Sequence, residues 1–240
     1  MEIKEIKAKP WYKKWWGILT IIIAGLFLAI ITAFAFYIFS IIKIIPDQKT
    51  TGINLNLLNA PYDEQARKTI EGQESYWMGS AKPKITIVEF ADFACPYCQK
   101  SFGKIREIGL KYGKDVKIIF RNYPMHKNSL EPAMAARCAG EQGLFWLMHD
   151  KLFLNQGAAE NPDLAEFANQ IGADLNKFNS CMTNGKYLAL IKKDAADGEE
   201  LGVAGTPTWF INGNKIEGDI PYELFNKIIE DLILKTKNQK

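Results

Sequence analysis

Between Lys14 and Lys43 the chain runs for 28 positions without a charged side chain. About 20 apolar residues in a helix already cross the hydrocarbon core of a bilayer, so "WWGILTIIIAGLFLAIITAFAFYIFSII" can span with tilt to spare. Trp11, Trp15 and Trp16 stand at its N-terminal border, where amphipathic rings favour the headgroup region. Ala33-Phe34-Ala35 has the small-x-small look of a leader cleavage site. The apolar run nevertheless continues to Ile42, whereas signal h-regions are only about 7–15 residues long. The expected element is an uncleaved signal-anchor over 15–45, behind a short cytoplasmic segment 1–14. Five Lys precede the span and one closes it, which predicts a cytoplasmic N-terminus and places everything after about residue 46 outside the cytoplasm. Disulfides persist there.

The overall charge of +3 is a local matter. Residues 1–45 carry a net +4 and the remainder sums to −1, which leaves no basic patch to suggest nucleic acid. Residues 46–80 are polar and punctuated by Pro46, Gly52, Pro61 and Gly72, as expected of a stalk and lead-in. From Lys84 the character changes. "KITIVEF" reads as a strand buried on both faces, "SFGKIREIGLKYG" has helical spacing at Phe102, Ile105, Ile108 and Tyr112, and "VKIIFRNYP" is a second strand. Strand, helix, strand at this length predicts a βαβ unit with parallel strands.

A helical block follows over about 128–200, with breaks near Gly143, Gly157, Asn161-Pro162 and Gly185. Asn161 before Pro162 reads as an N-cap followed by a first-turn proline. "TPTWFINGNKIEG" predicts a hairpin about Asn212-Gly213, and "PYELFNKIIEDLILK" a final helix. The order predicts an α/β domain over 81–240: a thioredoxin fold with an inserted helical subdomain, preceded by one transmembrane helix.

Within "FACPYCQK", Cys95 and Cys98 can be half of a zinc site, a local staple or a redox couple. Zinc needs four ligands, commonly from paired motifs. Cys138 and Cys181 are isolated from each other, and His126 and His149 form no ligand-spaced pair with either, so no metal is expected. A bridge closing so small a loop restricts the unfolded chain little. The redox reading draws support from position: Pro96 suits a first turn, which puts Cys95 at the N-cap of a helix. There the free backbone N–H groups and the helix dipole favour a thiolate. The dipole contributes about 0.3–1 kcal/mol, up to about 2 in favourable geometry. At about 1.4 kcal/mol per pKa unit that is one unit, so direct hydrogen bonds from Cys98 and the Pro96-Tyr97 backbone are needed as well.

From about residue 78 to 235 the chain resembles the DsbA-like branch of thioredoxin-fold proteins. "ITIVEFADFACPYCQ", "RCAGEQGLFWLMHDKLF", "FNSCMTNGKY" and "GVAGTPTWFING" carry the resemblance, in that order. It implies a thiol–disulfide oxidoreductase without a cofactor, in which Cys95 is attacked by a substrate thiolate and Cys98 resolves the mixed disulfide. It also implies a cis Pro207 after Thr206 beside the pair, and a structural disulfide between Cys138 and Cys181. Glu89 is either a solvated acid at a strand end or a partly buried carboxylate with raised pKa that relays the Cys98 proton; the DsbA-like proteins that the chain resembles have an acid at this offset. Arg121 reads as a surface residue rather than a partner of Glu89, and the charged end of "KYLALIKKDAADGEE" as a solvated face. Trp146, Met148 and His149 follow helical spacing and read as core or groove lining.

The reading is therefore a membrane-anchored oxidase that gives disulfides to reduced exported proteins. A DsbB- or VKOR-like membrane partner would reoxidise it, by resemblance. The alternatives are a reductase or isomerase of the same fold, or a non-catalytic chaperone or adaptor for unfolded segments.

Overall fold

The computed structural model describes Tyr12 and residues 15–44, 64–157 and 163–238. Two units form. The first contains a 30-residue helix α1, Trp15–Ile44. Its stretch Ile18–Ser40 is long and apolar enough to cross a membrane, and its large side chains from Ile18 to Phe39 are exposed. One N-terminal apolar helix fits a single-pass membrane protein.

The second unit is a thioredoxin-like domain on a five-stranded mixed sheet, with strands in the order β1-β3-β2-β4-β5. Strands β2 (Ile85–Ala91) and β3 (Val116–Asn122) pair in parallel at its centre, linked by helix α3 (Pro96–Tyr112). Both are buried along nearly their whole length, which is why their apolar residues run on instead of alternating. Strands β4 (Thr208–Ile211) and β5 (Asn214–Glu217) form the hairpin, with β4 antiparallel to β2. Its turn holds Asn212 at φ 47° and Gly213 at φ 82°, the left-handed pair that a two-residue hairpin needs.

The other edge strand, β1 (Tyr76–Gly79), pairs antiparallel with β3, and the short helix α2 (Glu64–Glu71) precedes it. The domain thus begins ahead of residue 81, and the 64–80 part of the expected lead-in contributes a helix and a strand. Four residues whose partner strand lies some forty positions later leave no local periodicity to read. The 46–63 part of the stalk lies outside the described residues.

Helices α4 (Leu130–Gly140), α5 (Phe145–Leu154), α6 (Leu164–Gln170), α7 (Leu175–Thr183) and α8 (Leu188–Glu200) stand between β3 and β4. Helix α9 (Tyr222–Asn238) closes the domain, and its Phe225 meets Trp209 edge-on at 5.2 Å. Helix α6 is capped by Asp163, whose side chain accepts from the N–H groups of Ala165 and Glu166; Asn161 and Pro162 lie outside the described residues. Phe93, Phe120, Phe145, Met148, Phe153, Phe178 and Ile191 join the insertion and the sheet in one core, which also takes in both cysteines of "CPYC". Cys138 of α4 and Cys181 of α7 are joined as a disulfide inside that core.

Two charged segments are buried against expectation. Arg121 is fully buried, donating to Asp194 Oδ1 at 2.8 Å, to Asp197 Oδ2 at 2.6 Å, and to the carbonyls of Thr69 and Ile70. Arg137 donates to the other oxygen of Asp194 at 2.7 Å. Arg121 is not a surface residue, and Asp194 and Asp197 are not part of a solvated face. Charge fails to read as surface here because each ion finds its counter-ion on a distant element, which sequence spacing cannot reveal.

Candidate active site

Helix α3 starts where the chain leaves β2, and Pro96 takes its first turn, where a missing N–H costs nothing. Cys95 is the N-cap, with extended φ −81° and ψ 122°. Its N–H donates to the Asp92 carbonyl at 3.0 Å and its own carbonyl accepts from Gln99 N at 3.1 Å. The Cys95 Sγ lies beside the start of the helix, 3.2 Å from the Thr206 carbonyl. The Thr206–Pro207 bond is cis, and Pro207 is buried beside β4. Tyr97 points outward and is 63% exposed.

The two thiols, both free, are driven in opposite directions. Hydrogen bonding from the Cys98 thiol brings Cys95 down to a pKa of about 5 against the opposing effect of burial; the Thr206 side chain, not its carbonyl, and the N–H groups of Cys98 and Tyr97 assist. Cys98, fully buried one turn into the helix, is pushed far up by burial, and further by its bond to Cys95 and the charge of Glu89. At neutral pH this arrangement presents a Cys95 thiolate backed by a Cys98 thiol. A thiolate at this position is at once nucleophile and leaving group, and the thiol can act only when a base takes its proton.

Glu89 lies in the middle of β2, level with Phe120 on one side and Trp209 on the other. It is 2% exposed, its Oε1 has no hydrogen-bond partner among the described residues, and burial lifts its pKa to about 8. Of the two readings of this acid, the solvated one does not hold. Arg121, one register position from the Glu89 partner Phe120, turns to Asp194 and Asp197 instead.

Sequence reasoning passed over several residues around the pair. Asp92 ties two loops together: Oδ1 accepts from Ala94 N at 2.8 Å, while Oδ2 accepts from Met125 N and His126 N and meets His126 Nδ1 at 2.7 Å. An Asp two residues before a turn N–H is a legible Asx-turn signal. Gln99 and Gln156 also converge on the site, through backbone carbonyls that leave no trace in sequence. His149 is fully buried among the rings of Phe93, Phe120, Trp146 and Phe153, which agrees with core packing. Among the described residues no group of three or more His, Cys, Asp or Glu side chains could hold a metal ion.

A strand, a cysteine pair opening a helix and a cis proline facing it make up the fold and the dithiol of a thiol–disulfide oxidoreductase. The thioredoxin family model matches residues 71–231, and the chain belongs to that family. Among solved structures it is similar to the thiol-disulfide exchange protein alpha-DsbA2 of Wolbachia pipientis, with a TM-score of 0.65 and 21% identity over 74% of this chain and 97% of that one. It is also similar to oxidised BdbD of Bacillus subtilis, with a TM-score of 0.59 and 24% identity over 66% and 92%. At these identities the likeness is one of fold, that of the DsbA-like proteins. A curated relative, the Na(+)/H(+) antiporter NhaA 3 of Salinispora tropica, is 32% identical over 158 residues, covering 65% of this chain and 24% of the antiporter. The chain spans about a quarter of the length of the curated relatives it matches.

Proposed function

We propose that the protein is a membrane-anchored thiol–disulfide oxidoreductase whose Cys95–Cys98 pair introduces disulfides into exported proteins. The observation that carries this reading is the opposite poise of the two thiols. A Cys95 thiolate stabilised by Cys98 and the helix N-terminus favours the reduced pair, so the oxidised pair readily takes electrons from a substrate. A substrate thiolate attacks Cys95 Sγ and expels the Cys98 sulfur, forming a mixed disulfide; Cys98 takes up a proton. The substrate's second thiolate then attacks its own bridged sulfur and expels the Cys95 thiolate. Two electrons have passed to the pair and a disulfide stays in the substrate. Glu89, buried and able to hold or release a proton near neutral pH, serves Cys98 as proton donor and acceptor. Thr206 and Pro207 flank the sulfur that the substrate approaches, and the exposed Tyr97 and Pro96 form its rim.

With α1 as an uncleaved anchor and the N-terminus in the cytoplasm, the domain faces the extracytoplasmic space, where reduced exported chains emerge. A quinone-linked DsbB- or VKOR-like protein in the same membrane would reoxidise the pair. The deciding experiment equilibrates the protein with glutathione redox buffers and quantifies reduced and oxidised Cys95–Cys98. A potential near roughly −120 mV supports the oxidase; one near roughly −270 mV would make the protein a reductase. For topology, a cysteine introduced in the 46–63 stretch should react with an impermeant thiol reagent on intact cells. Labelling only after lysis overturns the orientation.

A further inference from the structure

The helical insertion reaches the dithiol through two side-chain amides. Gln156, just past the end of α5, donates from Nε2 to the Phe93 carbonyl at 2.6 Å and to the Cys95 carbonyl at 3.1 Å. Gln99, in the first turn of α3, donates from Nε2 to the Phe153 carbonyl at 3.0 Å and to the Gln156 carbonyl at 3.4 Å. Each amide thus serves the backbone of the other's segment. At the end of α5 the Phe153 carbonyl already takes the N–H groups of Asn155 and Gln156, and Gln99 adds a side-chain donor to it. The loop before α3 is not regular structure, and its Phe93 carbonyl has Gln156 as donor.

We propose that Gln156 and Gln99 form a reciprocal amide clasp through which the helical insertion positions Cys95 for thiol exchange. The clasp acts on the backbone of the reacting residue itself. The N–H of Cys95 is fixed by the Asp92 carbonyl, and its C=O takes Gln99 N on one lone pair and Gln156 Nε2 on the other. With both peptide groups around Cys95 held, its Cα–Cβ bond keeps Sγ at the start of α3 and against Thr206. Beneath the amides, Phe93 packs on Phe153 with ring centroids 4.9 Å apart and Phe102 stacks on Phe153 at 5.4 Å, so the two segments stay in contact without the clasp. What the amides add is the setting of the Cys95 backbone rather than the attachment of the insertion. Gln156 also lines, with Phe93, Pro96, Leu152 and Phe167, a cleft of about 270 Å³ beside the pair. Both glutamines are positioning residues: neither touches sulfur.

The inference rests on Cys95 being the exchanging thiol, and the test separates the two. In the full-length reduced protein, thiolate absorbance at 240 nm is titrated against pH, and formation of the mixed disulfide with oxidised glutathione is timed by mass spectrometry. The wild type is compared with Gln156→Met and Gln99→Met, which keep side-chain length and remove the donors. Gln156→Met is expected to raise the Cys95 midpoint by about one pH unit, a tenfold weakening of thiolate formation, and to slow exchange near pH 5 correspondingly. Gln99→Met, which leaves both active-site carbonyls bonded, should move the midpoint in the same direction by less. If Gln156→Met fails to fold, the Gln99→Met shift decides. A wild type that exchanges normally, with folded variants titrating as the wild type does, overturns the clasp alone. A wild type that forms no mixed disulfide sinks the oxidoreductase reading and the clasp falls with it.

Discussion

Replacing Glu89 by Gln should stabilise the protein at neutral pH and slow its chemistry. The magnitude follows from burial. The carboxyl is 2% exposed, Oε1 has no hydrogen-bond partner among the described residues, and folding lifts the pKa from 4.5 to about 8. Below pH 4.5 both folded and unfolded chains keep the proton, so nothing is lost. Between pH 4.5 and about 8 the unfolded chain ionises while the folded one cannot, and stability falls as pH rises. At about 1.4 kcal/mol per unit, the cost is about 1 kcal/mol at pH 5 and about 3 kcal/mol at pH 7, levelling near 5 kcal/mol above pH 8. Gln keeps the shape and cannot ionise, so Glu89→Gln should gain about that difference. Three kcal/mol is a large share of the roughly 5–15 kcal/mol that separates folded from unfolded states. Urea denaturation of the reduced protein, followed by tryptophan fluorescence at pH 5 and pH 7, measures it. The gain must grow between the two pH values by about 2 kcal/mol. An equal gain at both, or a loss at pH 7, refutes the buried-carboxylate argument. The same variant should resolve mixed disulfides more slowly, because an amide cannot take the Cys98 proton.

Further expectations follow the same reasoning. Cys95→Ser should abolish exchange with glutathione, whereas Cys98→Ser should accumulate a mixed disulfide at Cys95, visible by mass spectrometry. Absorbance at 240 nm of the reduced protein should titrate near pH 5 and lose that transition in Cys95→Ser; because folding lowers this pKa, the stabilisation it brings is present above pH 9 and fades as pH falls through about 5. Arg121→Met should cost about 3–5 kcal/mol in urea denaturation, since it strips Asp194 Oδ1 of its cation and leaves Asp197 with only the half-exposed Lys193 at 2.8 Å. Removing the Cys138–Cys181 bridge as a double Ala variant should cost up to about 4 kcal/mol, given a sequence separation of 43.

The catalytic half of the molecule was legible because its signals are local. The continuous apolar runs of β2 and β3, the proline after Cys95 and the Asn212-Gly213 turn each declare a conformation within a few residues. The long apolar helix is plainer still, since an uncharged run of 28 residues has few places to go. What stayed hidden depends on partners distant in sequence. Strand β1 exists because β3 offers it an edge, and Asp194 is inside because Arg121 and Arg137 meet it there. The two glutamines were invisible for a further reason: they bind backbone carbonyls, which every residue carries. Asp92 was the one missed residue with a readable mark, its Asx-turn onto Ala94.

The asymmetry of the pair turns on where protons go rather than on the sulfurs alone. With Cys95 near 5 and Cys98 far above its ordinary value, the reduced pair holds one proton at neutral pH, and it is on Cys98. Reoxidation requires Cys98 to attack a mixed disulfide at Cys95 Sγ, and its thiol cannot shed that proton into a dry core. A carboxylate with an ordinary pKa nearby would stay ionised and raise Cys98 further; one that never ionised would accept nothing. Glu89 at about 8 lies between these extremes, which is the ground for proposing it as the acceptor of the Cys98 proton. The fold obtains this value by burying an acid in the middle of its central strand, where the charged form is disfavoured. The stability lost at Glu89 and the reactivity available at Cys98 therefore share one cause, and a variant that recovers the first should surrender the second.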